Sequence, residues 1–362
     1  FFFFLEILFL KKKFSKKLNF KMKTYFYSIG LHKEGGLNIL KKFIKENNNY
    51  IYILDKRLKG KITVKNSIFK SNNFFSIFIF LIHLKLKLKK EDNLIFLNGL
   101  PPILGFKCNV SVTFQNANLF REFYKVNTVR WLFSKDFLRY LDFKLGLNNV
   151  DNWFVFSPLS KIILSKHLKN YINLKTINIF ENYQSINLDT NQNYSYDFIY
   201  PASLMNHKNH KLLIDVLIEL SKKNIYPKVL LTLSDKEKKK LDFNKLKNKH
   251  KINLFNFYDR DQQRFQNIYK QCKALVYISS NETIALPIIE ASMYNLFIIA
   301  PKLPYSEQFI KPDLSFDINE KNDLLKCIEI CLKNNFKLNN HKKENFKFKS
   351  NITLNNFFNH IL

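Results

Sequence analysis

Two glutamates eight residues apart, Glu282 and Glu290, stand in the run SSNETIALPIIEAS (279–292). An apolar strand, ALVYISS (274–280), leads into them. PIIEASMY then reads as a helix with Pro287 at its start, where a missing N–H costs nothing. Asn295 suits the left-handed position after a helix, and LFIIAP (296–301) the next strand. Amides at such a helix start favour an anion. On this reading Glu290, in the first helical turn, accepts hydrogen bonds from the vicinal hydroxyls of a sugar. Glu282, in the loop, does the same for a second ring beyond the phosphates. The plainer reading is that Glu290 complements the helix dipole and Glu282 is solvated. Spacing alone leaves both open.

Weaker candidates accompany this pair. Gly35 and Gly36 follow the first strand, as a tight turn or as a place where backbone amides approach a phosphate. His32 beside them reads as an exposed loop residue. Gln115 and Asn116 end the strand VSVTFQN (110–116), where their amides either reach a sugar hydroxyl or cap the loop. His207 and His210 bracket Lys208 and Asn209, but no further ligand stands nearby, so no metal is expected. LKLKLKK (84–90) alternates Leu and Lys, as an edge strand guarded by lysine or as a surface resting on anionic lipid.

The elements that must position these residues follow from the apolar runs. Strands are expected at 24–30, 50–55, 75–84, 93–99, 110–116, 152–158, 196–202, 228–234, 251–257, 274–280 and 296–301. Helical patterns separate them, which indicates an α/β chain with parallel sheets covered on both faces. The length of 362 residues suits two domains. A polar, Asn-rich linker at 181–195 divides a doubly wound domain at 22–185 from a second at 190–345. An apolar tail, 346–362, is expected to pack back as a helix. Ligands of such sheets bind outside the carboxyl ends of the strands, in the cleft between domains. Residues 1–21 place FFFFLEILFL before KKKFSKKLNFK, the reverse of a secretory signal. They are expected to be upstream sequence or a weak membrane-surface segment.

The net charge is +30, yet only six of the 59 basic residues are Arg, while Phe numbers 38 and Gly 7. A compositional bias explains much of the lysine excess, and the Arg that reads bases is scarce. Nucleic acid is therefore not an expected partner; an anionic membrane surface or a phosphorylated ligand is. Four cysteines without a CxxC pair fit buried thiols in a reducing, cytoplasmic compartment.

With these pieces placed, the segment 279–309 resembles the donor-site signature of retaining GT-B glycosyltransferases of the family 4 type: Ser-x-x-Glu, Leu-Pro, then Glu-Ala. QNIYKQCKALVYISS (266–280) resembles the preceding helix and strand, with Tyr269 in its usual place. YPASLMNHKNHKLLIDVLIEL (200–220) is similar to the opening of the family's second domain, and GLHKEGGLNILKKFI (30–44) to its glycine-rich first loop. LNGLPPILGFKCNVSVTFQNANLF (97–120) resembles a subgroup of polysaccharide and lipopolysaccharide assembly.

The resemblance covers about 22–330 and implies two Rossmann-like domains facing a cleft. The first would hold a glycan or lipid-linked acceptor, the second a nucleoside-diphosphate sugar. The implied reaction is sugar transfer with retention, without metal or cofactor, on the cytoplasmic side and peripheral to the membrane. Lys208 would meet the diphosphate, Glu282 the donor sugar and Glu290 the ribose. Amides of Thr283, Ile284, Ala285 and Leu286 would hold sugar and phosphate, and Gly35 and Gly36 would join them in binding the donor. The departing phosphate would take the acceptor's proton, so no general base is named. Departures are the missing Arg ahead of Lys208, Ala285 and Asn295 where the family has Gly, and no Gly after Gly146. Lys208 then carries more of the charge, with Lys211 or Arg260 as helpers. The rival readings are a catalytically silent binding relative and a sugar-nucleotide epimerase.

Overall fold

The computed structural model describes residues 22–32, 34–47, 49–115, 119–120, 128–168, 173–180, 193–259, 267–336, 352–354 and 356–357. Strands β1 (Thr24–Tyr27), β2 (Ile51–Asp55), β3 (Ser67–Lys70), β4 (Asn93–Phe96), β5 (Asn109–Phe114), β6 (Asn152–Val155) and β7 (Asn173–Asn178) run parallel in the order β7-β6-β5-β4-β1-β2-β3. A second parallel sheet contains β8 (Tyr196–Tyr200), β9 (Val229–Leu231), β10 (Leu254–Asn256), β11 (Cys272–Val276), β12 (Phe297–Pro301) and β13 (Leu314–Phe316). Its order is β10-β9-β8-β11-β12-β13. Tyr25 lies beside Ile51 and Leu94, and Ala274 beside Phe198 and Phe297. In both sheets the order reverses once, between β1 and β4 and between β8 and β11. Such a reversal opens a crevice at the carboxyl ends of the two strands.

The helices cover both faces. In the first domain these include α1 (Glu34–Glu46), α2 (Phe74–Lys87), α3 (Lys135–Gly146) and α4 (Pro158–Ser165). In the second they include α5 (His210–Lys222), α6 (Leu286–Met293) and α7 (Lys321–Lys333). On α1, Ile39, Leu40, Phe43 and Ile44 form the buried face, in one cluster with Phe26 and Tyr52. The i, i+1, i+4, i+5 spacing is what a helix needs to lay one stripe on a sheet. Strands β1 and β4 are buried at every residue, which is why they read as unbroken apolar runs.

Two expectations fail on α2. Residues 75–84 are not a strand and 84–90 are not an edge strand; most of both lies in this helix of 14 residues. Asn73 Oδ1 accepts the Phe75 N–H at 3.0 Å and caps its start. A continuous apolar run has no period to separate buried strand from helix, and this one outlasts a normal strand. The edge strand is instead β3, SIFK, which with β7 and β13 has no counterpart among the expected strands. All three are only partly buried, so their apolar signal is weak.

The tail enters through a short strand, and its described residues 354, 356 and 357 are helical. β14 (Ile352–Thr353) pairs in parallel with Ile177 and Asn178 of β7, adding an eighth strand to the first sheet. Phe357 is fully buried beyond it, edge-on to Phe43 at 5.4 Å and to Phe154 at 4.8 Å. The chain thus leaves the second domain and anchors on the first. Residues 181–192 and 337–351, which hold most of the expected linker and the start of the tail, lie outside the described residues. All four cysteines are buried and unpaired in disulfides, Cys327 and Cys331 together on α7. Among the described residues no helix is long and apolar enough to cross a membrane.

Candidate active site

The second switch point gathers the strongest sequence candidates. Lys208 lies in the loop after β8, and Glu282 in the loop after β11. These strands are neighbours in the sheet, so the two loops meet. Lys208 Nζ pairs with Glu282 Oε1, the side chains being only 15% and 18% exposed. Tyr277 OH donates to the same oxygen at 2.9 Å and Ser279 Oγ at 2.7 Å. Lys208 Nζ also donates to the Tyr277 oxygen at 3.2 Å. Every hydrogen bond described at Glu282 thus falls on Oε1. The solvated reading of Glu282 is overturned: it is a held carboxylate with one oxygen saturated by three donors.

Backbone contacts hold the loops in place. Tyr200 OH donates to the Lys208 carbonyl and Tyr305 OH to the Ser279 carbonyl. The Ser280 N–H donates to the His207 carbonyl at 2.7 Å, and Asn209 Nδ2 to the Ile278 carbonyl at 3.0 Å. Asn209 itself adopts φ 48, the left-handed region that Asn tolerates. Tyr277, Tyr200 and Tyr305 were not singled out in the sequence; a tyrosine at a strand end is as often plain core. His210 opens α5, is buried and tilts against the Tyr200 ring. Burial lowers its pKa to about 4, so it is neutral.

Helix α6 begins at Leu286 with Pro287 in its first turn, and Ala285 precedes it at φ 51. That left-handed conformation is the reason a Gly suits this position, and a Cβ there costs about 1–2 kcal/mol. Asn295 closes the helix at φ 51, with its N–H on the Ser292 carbonyl and the Leu296 N–H on the Ala291 carbonyl.

Glu290 is one residue further in than expected, just past the first turn. It is the fifth residue of α6 and 8% exposed, so it does not serve as a first-turn complement to the dipole. Tyr269 OH donates to its Oε2 at 2.8 Å. Burial raises the Glu290 pKa to about 7, against the Tyr269 hydrogen bond and the charge of Lys42. Lys42 comes from α1 of the first domain and donates to the Ile179 carbonyl at 2.9 Å. Burial lowers its pKa to about 8, against the attraction of Glu290. Lys42 is a site neighbour that the sequence reading missed; an amphipathic helix carries many lysines and only the docking of the domains marks this one.

The first domain closes on the same loop. Thr283 Oγ1 donates to the Gln115 carbonyl at 3.1 Å, and Ser157 Oγ donates to the Thr283 carbonyl at 2.9 Å. Gln308 Nε2 donates to that carbonyl as well, at 2.7 Å. Gln115 therefore contributes its backbone. Its side-chain nitrogen turns inward to the Leu97 carbonyl at 2.8 Å rather than towards a sugar, while Asn116 lies outside the described residues. Gly35 and Gly36 sit in the first turn of α1 with ordinary backbone angles, so the tight-turn reading falls. A Cβ on Gly35 would stand 3.9 Å from Leu286 across the cleft. The turn itself is made at Gly30, φ 97, whose N–H donates to Asp55 Oδ2 at 3.0 Å. Asp55, also missed, is gripped by Arg57 at 2.8 and 2.6 Å, and this pairing holds its pKa down to about 2.

Among the described residues no group of three or more His, Cys, Asp or Glu could hold a metal ion. The sequence does carry one Asp-x-Asp run, Asp259 to Asp261, of which 260 and 261 lie outside the described residues, as does Arg264.

The family model for glycosyl transferases group 1 matches residues 182–348, a span that takes in the second domain. No curated protein matches the chain in sequence. Three solved structures are similar along most of its length. Alr3699/HepE from Anabaena, in complex with UDP and glucose, shares 13% identity over 87% of this chain and 91% of that one, with a TM-score of 0.63. Sucrose-phosphate synthase from Thermosynechococcus elongatus shares 12% over 86% and 90%, with a TM-score of 0.65. A glycosyltransferase from Rickettsia africae ESF-5 shares 15% over 87% and 89%, with a TM-score of 0.56. At such identities the likeness speaks for the fold. The chain has the two-domain GT-B architecture of these structures, and its second domain matches the model of the group 1 glycosyl transferases.

Proposed function

We propose that this protein transfers a sugar from a nucleoside-diphosphate sugar to a hydroxyl of a glycan or lipid-linked acceptor, with retention and without a metal or cofactor. The observation that carries this is the meeting of Lys208, Glu282 and the start of α6 at the second switch point, facing the glycine-led α1. Lys208 and the amides of Thr283, Ile284, Ala285 and Leu286 offset the charge of the leaving diphosphate. Donors fixed in advance around a developing anion lower the barrier without reorganisation. Glu282 keeps Oε1 for the protein and offers Oε2 to a hydroxyl of the donor sugar. Glu290 accepts from the ribose. The acceptor enters from the first domain, by Gly35 and Gly36, and its proton leaves with the departing phosphate. The cytoplasmic face of a membrane, in cell-surface polysaccharide assembly, is the setting this chemistry fits.

The test is turnover with a panel of UDP-, GDP- and ADP-sugars and a membrane extract as acceptor source. UDP-sugars come first, because the Anabaena protein holds UDP and glucose. One donor class should release nucleotide, and a chelator should not slow it. Lys208→Met should lower kcat by about 100- to 1,000-fold, the range for removing one oxyanion-stabilising donor. Neither release nor nucleotide binding across the panel sinks the transferase reading. Binding without release leaves a silent relative, and loss of turnover with chelator transfers attention to Asp259 and Asp261.

A further inference from the structure

We infer that the outward face of α2 is a docking surface for an anionic membrane. The helix buries Phe80 and Leu84 in the core of the first domain. Its opposite side leaves Phe74, Phe75, Phe78, Ile79, Ile82 and Leu86 exposed, the first two and the last at 69%, 74% and 72%. Their i, i+1, i+4, i+5, i+8, i+12 spacing makes them one face. Phe74 stacks on Phe78 at 6.3 Å and meets Phe75 edge-on at 5.8 Å, so the aromatic end is a surface cluster rather than scattered side chains. Contiguous exposed apolar surface of this kind marks an interaction site.

The surrounding charge selects the occupant. Between Lys56 and Lys90 the sequence carries ten basic residues and no acidic one. Lys85, Lys87, Lys89 and Lys90 lie at or just beyond the C-terminal end of the helix, and Lys70 reaches over the Phe80 ring. Burial, then the charges of Lys87 and Lys70, lower the pKa of His83. An apolar helical face rimmed by lysine is the pattern that lies in a lipid interface, with rings in the acyl boundary and ammonium groups at anionic headgroups. At 14 residues the helix is far too short to span. Phe133, Leu138 and Leu145, on and beside α3, are exposed as well, and α3 packs into the same core cluster as α2 through Phe143. The aromatic end follows the carboxyl end of β3, the side on which the cleft opens, so docking there would bring the acceptor domain's cleft towards the lipid.

The test is co-sedimentation of the full chain with vesicles of phosphatidylcholine alone and of phosphatidylcholine with phosphatidylglycerol. Wild type, Phe75→Ser/Ile79→Ser and Lys85→Gln/Lys87→Gln are compared. Wild type should pellet with the anionic vesicles only. The apolar pair should weaken binding about tenfold or more, and each lysine removed about fivefold. All four positions are exposed, and unchanged thermal unfolding of the variants confirms that the fold is kept. Equal pelleting on both vesicle types, or no loss in either variant, overturns the inference. Self-association of the wild type that Phe75→Ser/Ile79→Ser abolishes, with no vesicle binding, also overturns it and assigns the face to a second copy of the chain. The inference deepens the lipid-linked side of the proposed function, but vesicle binding is read without donor, so the two can fail separately.

Discussion

Replacing Glu290 by Gln keeps the shape of the side chain and removes its charge. In the folded protein burial raises this carboxyl's pKa from 4.5 to about 7. Above pH 4.5 the unfolded chain sheds the proton while the folded chain keeps it until about 7. Folding is therefore progressively less favourable as pH rises through this window, and the effect levels off above it. Each unit is worth about 1.4 kcal/mol, so wild type should lose about 3 kcal/mol relative to Glu290→Gln across the window. Lys42 titrates above it, with a folded value of about 8, and does not cancel the trend. Gln still offers an oxygen to the Tyr269 hydroxyl; its new N–H shifts the variant's stability by a pH-independent amount. Urea unfolding of both proteins at several pH values gives the two curves. They should diverge with rising pH. Parallel curves would refute the buried carboxyl as the source.

Other substitutions probe the frame around the site. Ala285→Gly should raise stability by about 1 kcal/mol by relieving the left-handed alanine, read as a higher melting temperature; a lower one counts against the strain. Phe357→Ala removes a fully buried ring between Phe43 and Phe154 and should cost about 3–5 kcal/mol, seen in the unfolding midpoint. A near-neutral result would mean the tail is not anchored on the first domain. Ser157→Ala removes one of two side-chain donors to the Thr283 carbonyl, worth about 1 kcal/mol. A distance probe across the domains should then report wider opening, and an unchanged distance would assign the latch to Gln308.

Where local chemistry decides, the sequence was a good guide. Alternation of apolar runs with helical patterns announced parallel sheets, because strands buried on both faces leave no polar period. Pro287 and Asn295 marked the two ends of α6, because fixed φ and tolerance of the left-handed region are properties of single residues. Glu282 and Glu290 could be named from residue type and local setting, and Lys208 from the resemblance of the segment around it. The same reasoning failed at Phe74–Lys87, where a uniformly apolar stretch is compatible with either period. It failed again at SIFK and NLKTIN, whose pairing partners, not their own residues, make them strands.

What only the tertiary structure decided is where those residues point and what they face. Lys208 and Glu282 stand 74 positions apart, and only the adjacency of β8 and β11 makes them a pair. The protonation of Glu290 is set by burial, by Tyr269 and by a lysine from the other domain. The backbone of Gln115, not its amide, meets the loop after β11 because Ser157, Gln308 and Thr283 close there. The physical reason is one of range. Backbone preference and apolar period act over a few residues and are written locally. Burial, charge coupling and the choice between a side chain turned inward and one offered to a ligand depend on neighbours that the fold brings from far along the chain.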